Sequence, residues 1–502
     1  MTNHKALCLA VLGTGSDVGK SVVATAICRI LAEQGKKVCP FKAQNMSNNS
    51  GVTPEGLEMG RAQIVQAEAA KIAPHVDMNP VLLKPTGENG SQVVVLGKAV
   101  SNQTAREYYQ RKKELFSVAC EALDRLRGQY DAIIIEGAGS CAEVNLMPHD
   151  MVNLVMAEYA DAPVVLIADI HKGGVFAQIV GTLECLDQHQ KDRISGFLIN
   201  RFRGDISLFH EGEQWIEQKT GKKSFGVLPW FSHFRIEAED SVVIERPASI
   251  NPESLKPPAV AIIRIPHISN FTDFDPLYAT NGLSVHFLEK VQDLIPFSAV
   301  IIPGSKCTRD DLDWLMNTGW SDALFRFCAT GGHVLGICGG YQMLGQAVHD
   351  PDGLEGVPGS TRGLSLLPVE TRLASPKTTT LTKFSWDDAF GTGYEIHMGR
   401  THRIQGKPLF RVHEFNAIAH EAFDGCISQN GQIIGTYMHG LFDSPDILSR
   451  WLFQVGIKNV TISGAHGFIA RDAQYDLLAE HFQKHIDIKN LLDFMGKAGF
   501  KR

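Results

Sequence analysis

The sequence predicts an α/β protein of two doubly wound parallel-sheet domains in succession, closed by a helical C-terminal tail. Three observations predict it. Short Val/Ile-rich runs bounded by Gly, Pro, Asn or Asp alternate with longer helix-like stretches, the pattern of parallel strands joined by crossover helices. Residues 246–258, RPASINPESLKPP, interrupt that alternation with four prolines and almost no large apolar side chain. Alternation then restarts, and only helical text follows it. The chain therefore divides into residues 1–245, a linker at 246–258, residues 259–447 and a tail at 448–502.

In the first domain, residues 6–12, 37–41, 131–136, 163–169, 194–200 and 224–228 read as strands. They are near-continuous apolar runs, as expected for strands covered on both faces. Residues 20–34 and 105–127 carry helical periodicity between them. In the second domain the strands fall at 259–265, 283–288, 299–302, 333–337 and 433–438. Residues 374–388 are rich in Thr, Ser and Lys and read as a surface excursion. No internal repeat or low-complexity tract is present.

Composition removes several function classes. The 502 residues are 44% hydrophobic and 21% charged, so a core forms without metal or disulfide staples. The formal charge of −7 disfavours a nucleic-acid partner, which wants a basic face. No run approaches the roughly 18 apolar residues of a membrane helix. The ten cysteines are scattered with no Cys-x-x-Cys, which argues against zinc and against a disulfide framework. The N-terminal text has no signal-peptide pattern, so a reducing cytoplasm is the expected compartment.

The first strand runs into Gly13-Thr14-Gly15-Ser16-Asp17-Val18-Gly19-Lys20-Ser21 and then a helix. This is a phosphate loop in its required context, with Thr14 where the standard motif has glycine. Gly13, Thr14 and Gly19 shape backbone N–H groups around phosphates, and Lys20 reaches the β/γ oxygens. Ser21 is a Mg²⁺ ligand candidate, joined by Glu136 at the end of a strand. Asn200, ending another strand, offers donor and acceptor to an adenine edge. The bland alternative for each is a turn or cap residue. Residues 41–50, FKAQNMSNNS, form an unusually polar loop beside this site. Lys42, Gln44 and Asn45 in it, with Asp150 and Asp169, are substrate-facing candidates.

The second site is His333-Val334-Leu335-Gly336-Ile337-Cys338-Gly339-Gly340. A strand ending in Gly-x-Cys-Gly-Gly has the small flanks a nucleophile elbow needs. The helix that follows favours the thiolate, and the Gly339 N–H faces a developing oxyanion. Gly304 and Ser305, in a tight loop after another strand, are a plausible second donor pair. His439 is the base candidate, with His333, His397 and His402 as weaker competitors. The alternative for Cys338 is a buried structural cysteine. ATP chemistry beside a Cys–His pair suggests a glutamine-hydrolysing, ATP-dependent amide synthase.

Here the sequence resembles a known family. The loop 13–21, Glu136-Gly137-Ala138-Gly139 and Asn200 resemble dethiobiotin-synthetase-like ATPases. Gly336–Gln342 resembles class I glutamine amidotransferases. With 41–50, 169–177 (DIHKGGVFA), 200–204 (NRFRG), 393–401 (GYEIHMGRT) and 437–442 (YMHGLF), the whole is similar to the cobyric acid synthase family. The resemblance implies a P-loop NTPase-like domain followed by a class I amidotransferase-like domain. It implies ATP, Mg²⁺ and glutamine as nitrogen donor. It implies a corrinoid substrate, adenosylcobyrinic acid a,c-diamide, amidated on its b, d, e and g carboxylates to adenosylcobyric acid. Cys338 takes the nucleophile's place and His439 the base's. Related amidotransferases carry Glu two residues after the His; Leu441 stands there, so the resemblance supports a dyad. Dethiobiotin-type enzymes place an Asp after the second strand, where this chain has Gln44 and Asn45. Rival readings are the a,c-diamide synthase of the same pathway, CTP synthase, and a partition-type ATPase with a degenerate amidotransferase domain. An acidic chain must attract a polycarboxylate locally, and Lys42, Lys172, Arg201 and Arg203 are the candidate cations.

Overall fold

The computed structural model describes residues 5–86, 90–231, 256–462 and 467–497. Most of the expected linker, residues 246–255, lies outside them. The first sheet is wholly parallel. Its spatial order is Lys223–Pro229, Ile194–Phe202, Val164–Asp169, Leu7–Gly13, Ala132–Glu136, Val38–Phe41. Its strands Val164–Asp169, Leu7–Gly13 and Ala132–Glu136 are almost entirely buried because helices cover both faces, which is why their text is continuously apolar. The second sheet runs Ser284–Leu288, Ala259–Ile263, Ala299–Ile302, His333–Ile337, Ile433–Thr436, with Cys426–Ile427 added antiparallel at the edge.

Two larger sheets go beyond the expected strands. Gln44–Met46, Val81–Thr86, Gly90–Val95 and Lys98–Thr104 form a four-stranded sheet inserted after the second strand. In the other domain Val369–Trp386 and Ala389–Arg403 form a long antiparallel hairpin within a larger sheet. The expected surface excursion at 374–388 is thus mostly strand. Its threonines are β-branched and suit a half-exposed pleated surface. Lys377 within it is buried between the two halves of the molecule.

The tail is also divided differently. The helix Pro445–Gln454 buries Leu448, Trp451 and Leu452 in the amidotransferase-side core. The helices Gly467–His485 and Ile488–Lys497 return to the N-terminal half. Leu478, Phe482, Ile486 and Leu491 share one apolar cluster with Val23, Ile27 and Phe225. Buried Arg29 donates to Asp472 at 2.8 Å and to Asp476 at 2.7 Å. Arg471 forks onto Glu68 at 2.9 and 3.0 Å and also reaches Asp443 at 3.3 Å. Among the described residues no helix is long and apolar enough to cross a membrane.

If these helices complete the N-terminal core, Phe482→Ala should cost about 3–5 kcal/mol there. Hydrogen exchange of the helix Lys20–Glu33 should accelerate in the variant, while that of His333–Ile337 should not.

Candidate active sites

The phosphate loop is built by close approach. Gly19 has φ 98°, a conformation that costs glycine little, and it caps the helix Lys20–Glu33. A Cβ at Gly19 would lie 2.1 Å from Asn200 Nδ2. Asn200 donates to Val18 O at 2.9 Å and accepts from Arg201 N at 2.8 Å. It therefore braces the loop, and does not turn its amide outward as a nucleobase reader would. Gly13 ends its strand, and Thr14 N donates to Ile167 O at 2.9 Å, tying the loop to the sheet. Lys20 Nζ folds over the loop, donating to Gly15 O at 2.8 Å and Gly139 O at 2.9 Å.

Ser21 Oγ donates to Glu136 Oε1 at 2.8 Å, and Lys42 Nζ holds the same oxygen at 3.0 Å. Gln63 and Gln66 donate to the other oxygen. Ser21 and Glu136 form the hard-oxygen pair that Mg²⁺ takes when phosphate and water supply its remaining ligands. No cluster of three or more His, Cys, Asp or Glu side chains suited to a metal occurs among the described residues. Lys42 thus sits buried on Glu136 and does not face an open pocket.

A cavity of about 730 Å³ adjoins the loop at Ser16 and Gly139. Gln44, Met46, Leu83 and Val93 from the inserted sheet form one wall, and Tyr108, Tyr109 and Lys112 form another. Gln44 accepts from the Tyr108 hydroxyl. Asp150 lines the cavity while capping Val152 N at 3.0 Å. Asn45 points the other way, by strand alternation, and donates to Gln63 at 3.0 Å. Asp169 lies outside the cavity, paired with Arg201 at 2.8 Å. Arg203 stacks on Trp230 at 4.1 Å, also away from it. The cation that does line it is Lys112, over the Tyr109 ring at 4.7 Å. Burial pulls Lys112 below the ordinary lysine range, against the pull of Asp150. Sequence reasoning missed Lys112 because it reads as one more charge on an exposed helix face.

In the other domain Cys338 joins His333–Ile337 to the helix Gly339–Leu344 with φ 52° and ψ −107°. A non-glycine residue there is strained, as functional turns often are. A Cβ at Gly340 would lie 2.0 Å from Ile302 O, so only glycine permits this elbow. A Cβ at Gly339 would lie 2.8 Å from Ser305. Gly304–Ser305 pairs antiparallel with Ile268–Ser269, and a Cβ at Gly304 would lie 3.0 Å from His439 Cε1. The oxyanion-loop candidates therefore adjoin both Cys338 and His439.

His439 Nδ1 meets Asp273 Oδ2 at 2.7 Å, and Gly440 N donates to the other carboxylate oxygen at 2.8 Å. Both side chains are 1% exposed. Burial opposes the imidazolium, but Asp273 and Cys338 outweigh it and push His439 up to about 10. With Nδ1 committed, Nε2 is left for Cys338. Asp273 stands 166 residues from His439 in the chain, in the turn Phe271–Phe274, and no local pattern marks it. Of the competing histidines, His397 lines the same cavity but is tied to Gly399 O and Glu395; His333 and His402 do not line it. The cavity at Cys338 is small, about 40 Å³, and Lys84 from the N-terminal half forms part of its wall.

Two α/β domains, one carrying a phosphate loop and the other a Cys–His–Asp elbow, define a nucleotide-binding domain joined to a glutamine amidotransferase domain. Residues 9–243 match the CobQ/CobB/MinD/ParA nucleotide binding domain, and residues 259–447 match the CobB/CobQ-like glutamine amidotransferase domain. The cobyric acid synthase of Chlorobium phaeobacteroides (strain BS1) is 49% identical over 98% of this chain and 99% of its own. That of Chlorobaculum tepidum is 48% identical over 97% and 98%, and that of Syntrophobacter fumaroxidans 45% over 97% and 98%. The chain belongs to the cobyric acid synthase family.

The Asp273–His439 pair makes stability pH-dependent. A histidine raised from 6.5 to about 10 contributes stability fully below pH 6.5 and loses it as pH rises through about 10. The margin in Tm of wild type over Asp273→Asn should follow that course when measured from pH 6 to about 10.

Proposed function

We propose that the protein carries out ATP-dependent, glutamine-hydrolysing amidation of the b, d, e and g carboxylates of adenosylcobyrinic acid a,c-diamide, giving adenosylcobyric acid. The observation that carries this reading is the pairing of two sites on one chain. A complete Cys–His–Asp elbow faces the N-terminal half, and in that half a 730 Å³ cavity opens beside the phosphate loop. That cavity combines apolar walls with Gln44, Asp150 and Lys112, which suits a large ring with polar arms.

On the glutaminase side the Cys338 thiolate attacks the glutamine carboxamide, and the oxyanion faces the N–H of Gly339 and the loop Gly304–Ser305. The tetrahedral adduct collapses to a thioester as His439 gives its proton to the departing ammonia. Asp273 holds the imidazole in the tautomer and orientation for both steps. Water then releases glutamate. On the other side a substrate carboxylate oxygen takes the γ-phosphoryl group of ATP, forming an acyl phosphate. Ammonia attacks its carbonyl carbon and phosphate leaves. Lys20 and the loop Gly13–Gly19 cradle the phosphates. Ser21 and Glu136 would hold Mg²⁺, which neutralises phosphate charge. Buried Lys42 keeps Glu136 oriented.

The identity to cobyric acid synthases favours this reading over the a,c-diamide synthase. The intact Cys338–His439–Asp273 arrangement weighs against an ATPase with a degenerate second domain.

Cys338→Ala should abolish amidation with glutamine and spare amidation with free ammonia; loss of both in a folded variant would overturn the two-site scheme. Lys20→Ala should remove synthesis with either nitrogen source while glutamine hydrolysis persists. Product mass, read after incubation with the a,c-diamide, ATP and glutamine, should fall by about 1 Da for each carboxylate converted by acyl transfer.

A further inference from the structure

Three lysines, Lys84, Lys306 and Lys377, line the cavity at Cys338. Two of them are neutralised. Glu58 Oε1 lies 2.7 Å from Lys84 Nζ, and Glu58 Oε2 lies 2.6 Å from Lys377 Nζ. Ser50 Oγ accepts from Lys84 at 2.7 Å, and Gln92 Oε1 accepts from Lys377 at 3.3 Å. Lys306 differs. It is 9% exposed, yet among the described residues its ammonium has no hydrogen bond and no ion pair. Burial pulls it below the ordinary lysine range, with Glu355 the main group opposing that pull.

A cation held in this state is costly unless something brings an anion to it. Flexibility does not explain its position, because the backbone is pinned. Lys306 N donates to His267 O at 2.9 Å, and the preceding Ser305 Oγ donates to Asp311 at 2.6 Å. Glu355 lines the same cavity and accepts from Thr308 N at 2.7 Å. Thr308 begins the helix that follows Lys306, so one turn fixes the positions of both charges. Burial pushes the Glu355 carboxyl up to about 7, with Lys306 opposing. The cavity thus presents one unpaired positive group and one carboxylate beside the nucleophile.

Glutamine carries a charge of each sign on its α-carbon, three carbon–carbon bonds from the carboxamide carbon. We infer that Lys306 receives the α-carboxylate of glutamine and Glu355 its α-ammonium, while the carboxamide lies against Cys338. This assignment rests on the glutaminase reading above. It makes the two residues specificity determinants. Gly304–Lys306 then binds both ends of the substrate: oxyanion at one end of the segment, carboxylate at the other.

Two substrate analogues test it on the full-length protein. 4-Aminobutanamide keeps the amine and carboxamide but lacks the carboxylate; 5-amino-5-oxopentanoate keeps the carboxylate and lacks the amine. Wild type should hydrolyse glutamine with a much higher kcat/KM than either. Lys306→Met should lower kcat/KM for glutamine roughly ten- to hundredfold, mainly through KM, as expected for one lost charge-assisted hydrogen bond. Its turnover of 4-aminobutanamide should not fall in step, so the preference for glutamine over that analogue collapses. Glu355→Gln should collapse the preference over 5-amino-5-oxopentanoate in the same way. If Lys306→Met lowers glutamine and 4-aminobutanamide by equal factors, the lysine acts on the thiol or the fold and the assignment is overturned. Thermal unfolding within a few degrees of wild type establishes that each variant is folded. Absence of any glutamine hydrolysis by the wild-type protein would remove the glutaminase reading. Hydrolysis with unchanged analogue ratios in the variants would remove only the assignment.

Discussion

Glu58 holds the two halves of the molecule in one arrangement. Its carboxylate is fully buried and divided between Lys84, from its own half, and Lys377, from the long hairpin of the other. Burial alone would raise its pKa, but the two ammonium groups outweigh burial and hold it far below the ordinary carboxylate range. Lys377 pays the corresponding penalty: burial pulls it down to about 7 against the attraction of Glu58. Buried ion pairs add little net stability compared with apolar packing, yet breaking one leaves an uncompensated charge worth about 3–5 kcal/mol. The energetic content of this contact is therefore specificity. Any other relative placement of the halves would strand a buried charge.

The inserted four-stranded sheet turns that contact into a partition. On the strand Val81–Thr86, Lys84 points toward the cavity at Cys338, while Leu83 and Pro85 point into the large cavity beside the phosphate loop. On Gly90–Val95, Gln92 reaches Lys377, whereas Ser91 and Val93 line the large cavity. The two-residue period of a strand thus lets one thin sheet serve two chemistries, with charge on one face and mostly apolar or small side chains on the other.

Legibility in the sequence followed the range of the interactions. The phosphate loop and the elbow are local: strand, tight turn and helix are contiguous, and their glycines are dictated by contacts such as Gly340 against Ile302 O. Both were readable for that reason. Asp273 was not, because it reaches His439 only after the sheet has brought distant segments together. Leu441 leaves no acid at the usual spacing and so suggests a dyad, but Asp273 joins His439 from a distant turn and makes a third member. Polarity alone marks Lys42 and Asn45 as substrate-facing; burial and strand alternation turn them inward, onto Glu136 and Gln63. The hairpin at 369–403 was missed because a half-exposed strand of Thr, Ser and Lys carries no apolar period.

The segment 42–50 had the most ambiguous text and turns out to be among the most constrained. It begins at Lys42, on the carboxylate that adjoins the phosphate loop, and ends at Ser50, on Glu58 and Lys84. Between them Asn49 accepts from Thr272, within the turn that carries Asp273, and Ser50 N donates to Asn270, which caps that turn. Buried polar atoms along such a path need partners, and Lys42, Asn45, Asn49 and Ser50 find theirs, whereas Asn48 Oδ1 has none among the described residues. An apolar loop could not make these contacts, and a solvated loop would not need to. The density of Asn, Gln and Ser is what remains when a chain must cross between two buried polar sites and satisfy both.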